Sequence, residues 1–95
     1  MINFKDKIIL IAGGNGLVGK KIISQIIKLG CKKIINFDLE SSKASKSKKI
    51  IYKKLDITKT DIFNDSINEL VKNKKTCPDI FINCSYPRSK DWPDN

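Results

Sequence analysis

The 95-residue sequence predicts an α/β fold built on a doubly wound parallel sheet. Three observations carry that prediction. Short apolar runs alternate with segments of helical apolar spacing, the connections are short, and a glycine-rich turn joins the first run to the first helical segment. Strands and helices in alternation imply parallel strands with right-handed crossovers, and the expected strand order is 3-2-1-4. The sheet is expected to be incomplete, since full folds of this kind usually need about 150 residues or more.

The first strand is expected from Lys7 to Ala12, almost wholly apolar, as befits a central parallel strand covered on both faces. The first helix is expected from Leu17 to Leu29, with Leu17, Val18, Ile22, Ile23, Ile26, Ile27 and Leu29 in one wide stripe opposite Lys20, Lys21, Ser24, Gln25 and Lys28. Gly30 stands where a helix takes a left-handed terminating residue, and a second strand, Lys33 to Asp38, follows. Residues 40–49, with Ala44 the one apolar side chain, read as a mobile connection or a short frayed helix. A third strand is expected from Ile50 to Leu55. Thr58 with Asp61, or else Thr60, can then cap a second helix running to Lys74 and burying Ile62, Phe63, Ile67, Leu70 and Val71. Cys77-Pro78 ends it, and Asp79 to Asn83 is the fourth strand. No helix follows to cover that strand before Asn95, so residues 1–95 read as one truncated domain whose carboxyl-terminal half is absent.

The turn Gly13-Gly14-Asn15-Gly16-Leu17-Val18-Gly19 is the most informative segment. Strand, glycine turn and helix in this order aim the first free helical N–H groups, and the positive end of the helix dipole, at whatever lies over the turn. A pyrophosphate suits that place. Gly13 can take the tight turn, Gly16 admits the phosphates without a Cβ in the way, and Gly19 lets the helix pack close to the strand. Glycines so spaced also occur in ordinary turns, but an acidic residue about 20 positions on completes a dinucleotide-binding fingerprint. Asp38 stands there, at the end of the second strand, where its carboxylate could accept both hydroxyls of an adenosine ribose. The competing reading is a solvated turn aspartate. A carboxylate at this place favours NAD and repels the 2′-phosphate of NADP, a preference that Lys43 and Lys46 can weaken. In the expected sheet order, strands one and four are neighbours, so the ligand crevice lies between Gly13–Gly19 and Asn83–Tyr86.

Composition narrows the other classes. The net charge of +9 arises from 19 Lys and Arg against 10 Asp and Glu. The lysines are spread over nearly every surface segment and arginine occurs once, so no nucleic-acid partner is expected. The cysteines Cys31, Cys77 and Cys84 are odd in number and lack a C-x-x-C spacing, which fits a reducing cytoplasm better than a disulfide framework. No apolar stretch approaches the roughly 20 residues that span a bilayer, and no membrane partner or metal site is expected.

These motifs resemble the amino-terminal, NAD(P)-binding Rossmann-like portion of the short-chain dehydrogenase/reductase family. Ala12 to Gly19 is similar to that family's T-G-x-x-G-x-x-G turn, with alanine in place of threonine. Leu55-Asp56-Ile57-Thr58 is similar to its strand-three motif, which implies that the Asp56 carboxylate and the Ile57 backbone meet the adenine. Asp79 to Tyr86 aligns with the strand-four segment ending N-N-A-G, of which only Asn83 is kept; Asn83 and Ser85 would border the nicotinamide. The resemblance thus implies a cofactor-binding set of Gly13, Asn15, Gly16, Leu17, Gly19, Asp38, Asp56, Ile57, Asn83 and Ser85. Asn83 to Arg88 further resembles a branch linked to bacterial surface-sugar and flagellin-glycan synthesis.

The family's chemistry implies hydride transfer between nicotinamide and a hydroxyl or keto substrate, small or sugar-like, in a full-length homo-oligomer. Its serine, tyrosine and lysine would lie beyond Asn95, leaving this piece inactive alone. Tyr86-Pro87-Arg88-Ser89-Lys90 has the Y-x-x-x-K spacing, but it follows strand four and contains a proline, so it does not present both side chains on one helix face. Two other readings stand beside this one: a nucleotide-sugar epimerase or dehydratase of the extended family, and a non-catalytic nucleotide-sensing regulator.

Overall fold

A computed structural model describes residues 3–39 and 47–85. Strands β1 (Ile8–Ala12), β2 (Lys33–Asp38), β3 (Ile50–Lys54) and β4 (Ile80–Asn83) form one parallel sheet in the order β3-β2-β1-β4. Helices α1 (Leu17–Lys28) and α2 (Thr60–Val71) make the connections. The predicted Rossmann-like order is present, with the two halves diverging from β1.

The core has two layers because successive side chains of a strand face opposite ways. Ile9, Ile11 and Ile34 pack with Ile23 and Ile26 of α1. Ile8, Leu10, Ile35 and Phe37 pack with Leu55 on the other face, and Ile57, Phe63, Ile67 and Leu70 lie against them. Every residue of β1 is buried, as its unbroken apolar run requires. Phe63 meets Phe37 edge-on at 6.2 Å and Phe81 of β4 at 6.2 Å, so one ring of α2 bridges two strands.

Both helices are narrower in their buried faces than their patterns suggest. Leu17 is 85% exposed, and Val18 and Leu29 are also exposed, so the buried part of α1 is Gly19, Ile23 and Ile26. On α2, Ile62 and Val71 are exposed and Ser66 is buried instead. A helix lying on a sheet buries a line of residues, here Phe63, Ser66, Ile67 and Leu70, and Ile62 and Val71 fall beside that line.

The ends of α2 also differ from expectation. Its N-cap is Lys59 and no side chain caps it, because the Thr58 hydroxyl and N–H both donate to Asp56 Oδ1, at 2.5 and 2.9 Å. The helix stops at Val71 rather than Lys74. Thr76 Oγ donates to Leu70 O at 2.9 Å and Asn73 Oδ1 accepts from Lys75 N–H at 2.9 Å, local bonds that offer the backbone an alternative to helix. Gly30 ends α1 with φ +83, the left-handed conformation its position predicts. The Tyr86–Lys90 stretch, Lys43, Lys46 and most of the 40–49 connection lie outside the described residues.

Candidate functional site

β1 ends at Ala12, and Gly13 turns the chain with φ +76, a left-handed conformation that glycine takes freely. A Cβ on Gly13 would also sit 2.8 Å from the Cα and N of Ser85. The glycine turn and the segment after β4 are therefore in direct backbone contact above the carboxyl ends of β1 and β4, where strand order reverses. Cys84 N–H, donating to Ala12 O at 2.7 Å, extends the β1–β4 pairing to that point.

The next two amides of the turn face the sheet. Gly14 N–H donates to Asn36 Oδ1 at 2.9 Å, and Asn15 N–H donates to Asp38 Oδ2 at 2.9 Å. Asn36 Nδ2 in turn donates to Asn15 Oδ1 at 3.0 Å. Asn36 and Asp38 are two residues apart and so share one face of β2, the face covered by α1. The backbone of Asp38 is held as well, its carbonyl accepting from Leu55 N–H at 2.8 Å and from the Tyr52 hydroxyl at 3.2 Å.

Gly16 is the N-cap of α1, in extended conformation and with no side-chain cap. The amides of Leu17, Val18 and Gly19 open the helix, where N–H groups have no intrahelical carbonyl to meet. Among the described residues, a Cβ on Gly16 would find only Gly13 O, at 3.7 Å, so they leave the space over the turn open. Gly19 is different. A Cβ there would lie 2.5 Å from Gly13 O and 2.6 Å from Gly14 Cα, so this glycine lets the helix sit on the turn itself. Open space, first-turn amides and exposed Leu17 and Val18 form a lip on which an anion would meet donors and a positive dipole end.

The remaining sequence-derived positions have local contacts. The Asp56 carboxyl is held below the usual carboxylate range, first by the Thr58 hydroxyl, then by the Thr58 amide. Ile57 packs against the layer of Ile8, Leu10, Ile35, Phe37 and Leu55. Asn83 Oδ1 accepts from Ser85 N–H at 2.9 Å and from Ser85 Oγ at 2.6 Å, which shapes the loop that crosses Gly13. Burial raises the Cys84 thiol. Sequence reasoning passed over Asn36 and Gly14. The signal was present: an asparagine inside the otherwise apolar run Ile34 to Phe37, two residues before the acid, is a polar group that must find partners.

Over residues 9–86 the chain matches the model of a family described as Polysaccharide biosynthesis protein. The chain belongs to that family. This polysaccharide biosynthesis family is part of the extended short-chain dehydrogenase/reductase family, in agreement with the motif resemblance. A short-chain dehydrogenase from Leptospira borgpetersenii serovar Hardjo-bovis, solved with bound NAD+, is 27% identical with a TM-score of 0.76, over 97% of this chain and 37% of that one. The epimerase Mth375 from Methanothermobacter thermautotrophicus is 24% identical with a TM-score of 0.64, over 86% of this chain and 23% of that one. The enzyme WbmF from Bordetella bronchiseptica, solved with NAD+, is 17% identical with a TM-score of 0.63, over 86% of this chain and 24% of that one. The last two show the fold alone. No curated protein matches the sequence. The chain thus spans little more than a third of the dehydrogenase and about a quarter of the other two.

Proposed function

We propose that this chain is the NAD-binding portion of a short-chain oxidoreductase that transfers hydride to or from a hydroxyl or keto group on a sugar-like substrate. The observation that carries the proposal is the turn itself. Its glycines leave open space over the first amides of α1, and the Asp38 carboxylate is held beside it through Asn15 N–H. NAD, when bound, would supply the hydride acceptor.

In this reading, residues Gly13 to Gly19 bind the diphosphate, with Leu17, Val18 and Gly19 as amide donors and Gly16 as the open floor. Asp38, whose carboxylate accepts from Asn15 N–H at the end of β2, accepts from the adenosine ribose. Asp56 and the Ile57 backbone flank the adenine, and Asn83 and Ser85 border the nicotinamide. The fit of the Leptospira dehydrogenase with NAD+ supports the cofactor assignment. In this reading residues 1–95 form one cofactor-binding domain. Free thiols at Cys31, Cys77 and Cys84 agree with a reducing, cytoplasmic setting, and none of the described helices is long and apolar enough to cross a membrane.

The polysaccharide family match favours a second reading, a nucleotide-sugar epimerase or dehydratase. A substrate domain taking the full-length protein well past 250 residues, together with turnover of a UDP-sugar, would select it.

Titration of the full-length protein with NADH and NADPH at matched salt tests the cofactor assignment. NADH is expected to bind at least tenfold more tightly, from like-charge repulsion between Asp38 and the 2′-phosphate. Equal weak binding of both removes the Asp38 argument.

A further inference from the structure

Asn36 is 1% exposed, in a strand where Ile34, Ile35 and Phe37 are equally buried. An amide in such surroundings is costly unless its hydrogen bonds are made. Its side-chain partners among the described residues, Gly14 N–H and Asn15 Oδ1, belong to the glycine turn. The fit around Gly14 is close, since a Cβ there would lie 2.5 Å from Asn36 Oδ1 and 2.7 Å from Ile23 Cδ1.

We propose that Asn36 is a positioning residue for the diphosphate. It holds Gly14 and Asn15 against the sheet before any ligand arrives, so that the Leu17, Val18 and Gly19 amides are already directed outward. The proposal rests on the dinucleotide reading above and deepens it. Between Gly13 and Gly16 only Asn15 carries a side chain, so the segment cannot be ordered by its own packing, and glycine loses more backbone freedom on ordering than any other residue. A loop ordered at the moment of binding weakens affinity by that loss; a loop ordered in advance does not. β2 supplies the order from outside. Asn36 and Asp38 reach Gly14 and Asn15 in register, one side chain for each amide. Asp38 lies at the strand end, where it can also meet a ribose. Asn36 is too deeply buried to touch a ligand and acts only through the turn.

Two consequences separate this role from simple core stability. Loss of Asn36 acts on the phosphate part of the ligand and spares the nucleoside, and it weakens NADH and NADPH alike, because the 2′ position is read by Asp38. Asn36→Leu keeps the shape and removes both hydrogen bonds. In the full-length protein it is expected to weaken ADP-ribose, NADH and NADPH about tenfold each, to change adenosine less than twofold, and to leave the NADH to NADPH ratio unaltered. Calorimetry or ligand-observed NMR reads these affinities. Amide hydrogen exchange on the ligand-free wild type gives a second measurement that needs no variant. Gly14 and Asn15 N–H are expected to be protected already, while ADP-ribose shifts the Leu17 and Val18 amide resonances.

Loss of ADP-ribose and adenosine binding in equal measure in Asn36→Leu, or of neither, overturns the positioning role and leaves the dinucleotide reading standing. So does free exchange at Gly14 until ligand is added. A wild-type protein that binds neither ADP-ribose nor NADH removes the dinucleotide reading itself, and the positioning role with it.

Discussion

The glycines of the turn have different neighbours, so filling each with a methyl group has a different consequence. Gly19→Ala drives a Cβ into backbone atoms of Gly13 and Gly14 that cannot retreat without moving β1 or α1. It is expected to destabilise the protein by about 1–3 kcal/mol, the usual cost of overpacking, seen as a lower denaturant midpoint. Gly16→Ala meets no described residue closer than 3.7 Å and is not in a left-handed conformation, so stability should change little while NADH affinity falls. Both losing stability equally would argue against an open ligand space over Gly16. Asp56 gives a pH-dependent prediction. Its carboxyl is lowered chiefly by the Thr58 hydroxyl, so its contribution is present above the ordinary carboxylate range and is lost as pH falls through the lowered value. Thr58→Val is expected to raise that pKa toward the ordinary range, measurable by an NMR titration of the Asp56 carboxyl. An unmoved midpoint would show the bond to be absent in solution.

At the scale of elements, helical spacing revealed where helices lie but overstated how much of each is buried. The period that places Ile62 and Phe63 on one stripe cannot tell which of two adjacent positions sits over a strand. Packing against Phe37 and Phe81 selects Phe63. Phe63→Ala is therefore expected to cost roughly 2 kcal/mol, below the ~3–5 kcal/mol of a fully buried phenylalanine. Ile62→Ala, at a site 52% exposed, should stay within about 0.5 kcal/mol. Urea unfolding of the two variants makes the comparison, and equal losses would place α2 in a different rotation on the sheet. Helix ends were the least legible feature. Thr58 has the chemistry of a cap, but Asp56 two residues earlier offers its hydroxyl and amide a charged acceptor, and that bond forms instead of the cap.

Across the whole molecule, β1 lies between β2 and β4, with one layer of apolar side chains on each face. Cys31 belongs to the α1-side layer at 1% exposure, and burial above all, opposed by the Lys49 ammonium, raises its thiol pKa. Its alkylation should thus follow global opening of the sheet and slow in step with stability under native conditions, as mass spectrometry of timed labelling would record. Rapid labelling without unfolding would mean that the edge near Cys31 opens by itself. The strand order, the turn at Gly13, the left-handed Gly30, and the place of Asp38 at the end of β2 were all legible in the sequence. Each follows from local rules: apolar period, the freedom of glycine, and the handedness of parallel crossovers. What only tertiary structure decided is which groups meet across the fold. The clamp of Asn36 on Gly14, the contact of Gly19 with Gly13 rather than with a strand, and the passage of Ser85 over Gly13 join residues distant in the chain. Their partners are set by strand register and by the angle of α1 on the sheet, geometric quantities that no local pattern contains.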